Sequence, residues 1–152
     1  MKRIPLSLFT FLFLLSGLCA APTKTVWQIG EKNHSASELA LSPDKYKEFL
    51  ANDFGWEDRF YIIGLSSPQK DFPYVLPGPA DHWGGTSYTA GIRTHVLNIL
   101  FGMKEVPETD SWKLIIDLLD THHELPALFK ITINGKSWKY ALPKGSGKSI
   151  DG

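Results

Sequence analysis

Apolar positions in the last third of the chain recur at every second residue. Trp112, Leu114, Ile116 and Leu118 fall on one side of an extended segment, with Lys113, Ile115 and Asp117 on the other. Phe129, Ile131 and Ile133 alternate with Lys130 and Thr132, and Trp138, Tyr140 and Leu142 repeat the pattern beyond Asn134-Gly135. A period of two is the mark of a strand with one covered face. Asn-Gly between two such runs is the strongest short-range hairpin signal, because both central residues of a type I′ turn need positive φ. The pattern predicts a hairpin over about 129–142, and it places Trp27, Trp112 and Trp138 in the core.

Shorter strands are expected at 25–30, 60–63 and 95–101, where apolar residues alternate or run together between turn residues. One short helix is expected over 43–52. Ser42 supplies a capping hydroxyl, Pro43 sits at the first helical position and Asp44 lies in the first turn, while Tyr46, Phe49 and Leu50 share a face. Ser35 and Glu38 have the spacing of a capping box. Between 66 and 91 come Pro68, Pro73, Pro77 and Pro79 with Gly78, Gly84 and Gly85. Proline cannot donate to a sheet ladder, so this stretch reads as one long loop. Phe72, Tyr74, His82, Trp83 and Tyr88 make it too aromatic for disorder, and loops of this length in compact domains usually carry function. Several short antiparallel strands with one helix define an all-β class, an antiparallel β-sandwich.

Composition changes the picture at the N-terminus. Lys2 and Arg3 precede an apolar run from Ile4 to Leu15, and small residues follow at Ser16, Gly17, Ala20 and Ala21. That order is the signature of a cleaved secretory signal, and the run is too short to span a membrane. The expected organisation is a signal peptide at 1–20 and a single domain at 21–152. Cys19 is the sole cysteine; the bulky Leu18 before it argues against lipidation, and cleavage after Ala20 removes it. A thiol-free mature chain excludes a disulfide scaffold, a cysteine enzyme or a zinc ribbon. The chain carries 16 basic and 16 acidic residues, and losing Lys2 and Arg3 leaves 14 against 16. Nothing in that balance points to nucleic acid.

Catalytic and metal chemistry find little purchase. Asp120-Thr121-His122-His123-Glu124 has ligand types, but adjacent histidines on a strand point to opposite faces, so a solvated turn is expected and no metal or cofactor. Asp81-His82 and Arg93-Thr94-His95 offer acid, base and cation types without a nucleophile elbow, a zincin helix or a phosphate loop. Asn33-His34-Ser35 fits the glycosylation sequon, a match that is common by chance. The aromatics support binding instead. Trp56, Trp83, Tyr74 and Tyr88 lie in loops, with Asp58, Arg59, Asp81 and Arg93 near them in sequence. A sugar stacks its C–H face on such rings while planar polar groups take its hydroxyls. The competing view makes the same rings plugs for the ends of a sandwich.

Val26-Trp27-Gln28-Ile29-Gly30 followed by Ser35-Ala36-Ser37-Glu38-Leu39 resembles the opening of the third domain of polysaccharide lyase family 4, the rhamnogalacturonan lyases. Trp112 to Gly135, ending in Ile131-Thr132-Ile133-Asn134-Gly135, resembles the later strand pair of that domain. The blocks 53–59 and 73–85 are similar to versions in secreted proteins of gut-type Bacteroidetes. The resemblance covers most of 26–143. It implies a jelly-roll-like sandwich of the carbohydrate-binding-module kind, with pectic polysaccharide as partner. The family's catalytic lysine and histidine lie in a separate domain, so it implies no catalytic residue here. The stretch 144–152 reads as a loop where further strands would follow, so a truncated piece of a longer enzyme is expected. Two other functions compete: a lyase or glycosidase with its site at 66–91, and a structural spacer. The expected sugar contacts are Trp83, Tyr74, Tyr88, Trp56, Asp81 and Arg93.

Overall fold

The computed structural model describes residues 24–52, 54, 59–83, 93–106, 108 and 111–147. The expected signal peptide, Trp56, Asp58, Tyr88 and the block 84–91 of the long loop lie outside the described residues. Most of what is described is non-helical. Among the described residues, four short strands form two separate two-stranded sheets: β1 (Arg59–Ile62) with β2 (Leu97–Leu100), and β3 (Leu128–Ile133) with β4 (Lys136–Ala141).

The first pair is parallel, with Arg59 opposite Leu97 and Ile62 opposite Leu100. Backbone bonds from Arg59 N–H to the Val96 carbonyl (3.0 Å) and from Ile63 N–H to Leu100 (2.9 Å) extend it at both ends. Antiparallel pairing had been the expectation. Parallel strands need a long crossover connection, and the proline-rich stretch supplies it. That stretch is therefore a structural link as well as a loop. It opens with one short helix, α1 (Pro68–Asp71), whose start is tied by the Ser67 N–H donating to the Asp71 carboxylate at 2.7 Å.

The expected helix at 43–52 contracts to a 3₁₀ turn, Lys45–Glu48. Its N-cap is Asp44 rather than Ser42, with no side-chain cap hydrogen bond. A helix this short is set by packing more than by propensity, and packing here serves Phe49 and Leu50, the two residues just beyond the turn. Phe49 is 1% exposed. It meets Phe54 at 5.6 Å between ring centroids and the His95 imidazole edge-on at 5.4 Å. Ala40, Phe49, Leu50 and Phe54 form the buried cluster, with Leu41 and Trp83 packed against it.

The capping box also fails to form. The Ser35 hydroxyl accepts from Ser37 N–H at 3.1 Å, and the Glu38 carboxylate accepts from Glu31 N–H at 2.6 Å. The Asn33 side chain accepts from Ser35 N–H at 2.9 Å. Local side-chain bonds to nearby backbone compete with helix and win here. Residues 25–30 are likewise in no strand, and Trp27, half-buried, packs on Phe101 at 5.6 Å.

The hairpin is as expected. Asn134 has φ 47° and Gly135 φ 81°, and six residue pairs run from Ile133–Lys136 out to Leu128–Ala141. The covered faces are not as expected. Trp112 is 55% exposed and Trp138 45%, so neither is a core residue. The segment 111–118 keeps its alternation of types but belongs to no strand. A period of two records that a segment can be covered on one side; the covering layer is a separate requirement, and the described residues do not provide it.

Candidate functional site

The crossover and the 40–49 region are stitched together by backbone. Ala40 N–H is shared between the carbonyls of Pro68 (3.0 Å) and Phe72 (2.9 Å), and Tyr74 N–H donates to Ala40 (3.0 Å). The bridge of Ala40 to Pro73 lies at the centre of this join. Beneath it Tyr61 is buried, with Phe72 edge-on at 5.8 Å. Burial raises the Tyr61 hydroxyl above its ordinary pKa, and the nearby Asp71 carboxylate adds to the shift.

Four of the six expected sugar contacts can be placed, and two of these have structural duties. The Asp81 carboxylate accepts from Gly78 N–H at 2.7 Å while Asp81 N–H returns to the Gly78 carbonyl at 3.0 Å, closing a tight turn. Trp83 is half-buried on the core cluster and meets Tyr46 edge-on at 5.2 Å. Tyr74 is half-buried beside the bridge, and Arg93 is exposed. Trp56 and Tyr88 are outside the described residues. Tyr46, with the Lys47 ammonium 5.8 Å from its ring centroid, joins this aromatic corner. Sequence reasoning had given it only a helix-face role, and its contact with Trp83 spans a separation that periodicity does not reach.

The 120–125 turn is a second polar cluster, and its groups hold backbone. The His122 Nδ1 accepts from the N–H groups of Glu124 (3.1 Å) and Leu125 (3.0 Å). The rings of His122 and His123 stack at 4.8 Å instead of pointing apart, because the segment turns here instead of extending. Asp120 accepts from Thr121 N–H and from both the N–H (2.8 Å) and hydroxyl (2.5 Å) of Ser146. With Thr121 donating to the Pro143 carbonyl, these bonds clasp the end of the hairpin onto the turn. Among the described residues no group of three His, Cys, Asp or Glu side chains is arranged to hold a metal ion.

The hairpin itself has two unlike faces. One carries Phe129, Ile131, Ile133, Trp138 and Tyr140, with Lys136 at its turn end; the other carries Lys130 directly opposite Lys139 and Thr132 directly opposite Ser137, with Leu128 opposite Ala141 at its open end. The two hydroxyls are hydrogen-bonded at 2.7 Å. All four residues of this polar group are exposed. The Asn-Gly turn fixes this register, so the lysine pair was open to sequence reasoning once the hairpin was accepted.

The model of the CBM-like domain III of polysaccharide lyase family 4 matches residues 25–151, and the chain belongs to that family. No curated protein and no solved structure matches the chain.

Proposed function

We propose that this chain is an exported, non-catalytic carbohydrate-binding domain that takes pectic polysaccharide and works as part of a pectin-degrading system. The observation that carries this reading is family membership across 25–151. The site chemistry supports it. Asp81 Oδ2, Asp120 Oδ1 and His122 Nδ1 each accept from backbone N–H groups, a role that holds loop conformation. Export rests on the basic start and apolar run of residues 1–20. The finer architecture is a jelly-roll-like sandwich, to which the hairpin contributes two strands. Sugar contact falls to the open part of the Trp83 ring, with Tyr74, Asp81 and Arg93 beside it in the chain and Trp56 and Tyr88 completing the set.

Affinity electrophoresis through gels cast with rhamnogalacturonan tests this. Retardation of the chain, without release of unsaturated products, is the expected result. Unretarded migration removes the binding reading, and product release would make the chain a lyase.

A further inference from the structure

The hairpin and its flanks are unusual in their charges. From Leu125 to Gly147 the chain carries Lys130, Lys136, Lys139 and Lys144 and no acidic residue. Lys130 and Lys139 are directly opposite each other. Like charges in that position are destabilising, since the Cβ atoms of such a pair lie only about 4.5–5.5 Å apart. A chain choosing residues for strand stability alone would place a carboxylate at one of the two. Thr132 and Ser137 form the next pair along the same face, so two ammonium groups adjoin two hydroxyls on one exposed surface.

We propose that this face, Lys130 and Lys139 with Thr132 and Ser137, binds the carboxylate-bearing residues of an acidic polysaccharide. One uronate carboxylate seats between the two ammonium groups and removes their repulsion. The hydroxyl pair meets the neighbouring ring oxygens and hydroxyls of the sugar. Charge complementarity selects this occupant over others. A second copy of the chain would bring lysine against lysine. Nucleic acid asks for a broad basic surface, whereas the chain as a whole balances 16 basic against 16 acidic residues. The inference rests on the carbohydrate-binding reading and adds to it the place where the acidic sugar is read.

The test is affinity electrophoresis of the full chain in polygalacturonate, in neutral galactan and in duplex DNA, with melting temperatures recorded alongside. Polygalacturonate is expected to retard the chain more than galactan or DNA, and added salt to weaken the effect. Lys130→Gln combined with Lys139→Gln should lower affinity for polygalacturonate by about tenfold, two exposed charge contacts' worth, at a melting temperature no lower than the parent's. Lys139→Glu is the second variant. It replaces repulsion by a cross-strand ion pair, so it should melt no lower than the parent and yet lose binding. If the double variant or Lys139→Glu keeps full affinity, or if galactan or DNA retards the chain as strongly as polygalacturonate, the inference is overturned and the general carbohydrate reading stands or falls separately on rhamnogalacturonan. If the parent chain binds none of these glycans and rhamnogalacturonan does not retard it either, both fall.

Discussion

Replacing Trp83 and Trp112 by alanine in turn should give costs in an order opposite to the one their sequence contexts imply. Trp112 sits in an alternating apolar run, and Trp83 in a loop rich in proline and glycine. The structure reverses their roles. Trp83 packs on the cluster of Ala40, Phe49, Leu50 and Phe54 and on the edge of Tyr46. A tryptophan buries on the order of 150–250 Å² when covered; with roughly two thirds of that removed from water, about 3 kcal/mol is at stake at 25 cal/mol per Å². The unfolded chain shades part of the same area, so this is an upper figure, and the Tyr46 edge contact returns about 0.5–1.5 kcal/mol. Trp112 is 55% exposed and lies in no strand. Its truncation should cost about 1 kcal/mol, within the common range for a substitution that opens no cavity. Urea unfolding followed by far-ultraviolet circular dichroism measures both. A cost for Trp112→Ala equal to or above that for Trp83→Ala would refute this reasoning. It would show that the 111–118 segment is covered in solution.

Gly135→Val should destabilise the hairpin by roughly 1–2 kcal/mol, because φ is +81° there and a β-branched residue resists the left-handed region; an unchanged melting temperature would count against the type I′ turn. Gly145→Ala should loosen the clasp on the 120–123 turn. A Cβ at that position would overlap the Asp120 carboxylate and the Thr121 backbone, and losing the Ser146 bonds to Asp120 should cost about 1–2 kcal/mol; amide exchange at Ser146 and Gly147 reads it directly. Tyr61 gives a pH dependence. Its hydroxyl is raised in the folded state by burial and by Asp71, so the neutral form is favoured on folding. The stability it contributes is complete below the ordinary tyrosine range and is lost as pH rises above about 10. Tyr61→Phe should flatten that part of the stability-versus-pH curve, and an identical alkaline decline in both proteins would contradict the burial of this ring.

The hairpin was legible in the sequence because its turn chemistry and its alternation are both local. Asn134-Gly135 fixes the reversal, and the register then follows residue by residue out to Leu128 and Ala141. The strand at 59–62 was legible for the same reason, as a short apolar run. Its parallel pairing with 97–100 was not, since partner choice across the intervening crossover depends on a connection whose path no periodicity records. The helix start at Ser42-Pro43-Asp44 had the right residues, yet the burial of Phe49 and Leu50 decided the local geometry. Ser35 and Glu38 had capping-box spacing and instead bound Ser37 and Glu31. Asp81 and Trp83 were singled out by residue type as expected sugar contacts, but their contacts with Gly78 and Tyr46 emerge only from the folded loop. The lysine pair on the hairpin was overlooked for another reason. Alternation draws attention to apolar positions, whereas the charged positions between them carry the more specific pattern.

Under the proposed function this member of the lyase domain III family binds pectic carbohydrate without cleaving it. Isothermal titration of the full chain with rhamnogalacturonan oligosaccharides, followed by ultraviolet absorbance of the same mixture for unsaturated ends, tests it most directly. Saturable binding with no rise in absorbance is the predicted result. Absence of any binding isotherm, or a rise in absorbance that scales with protein concentration, would contradict it.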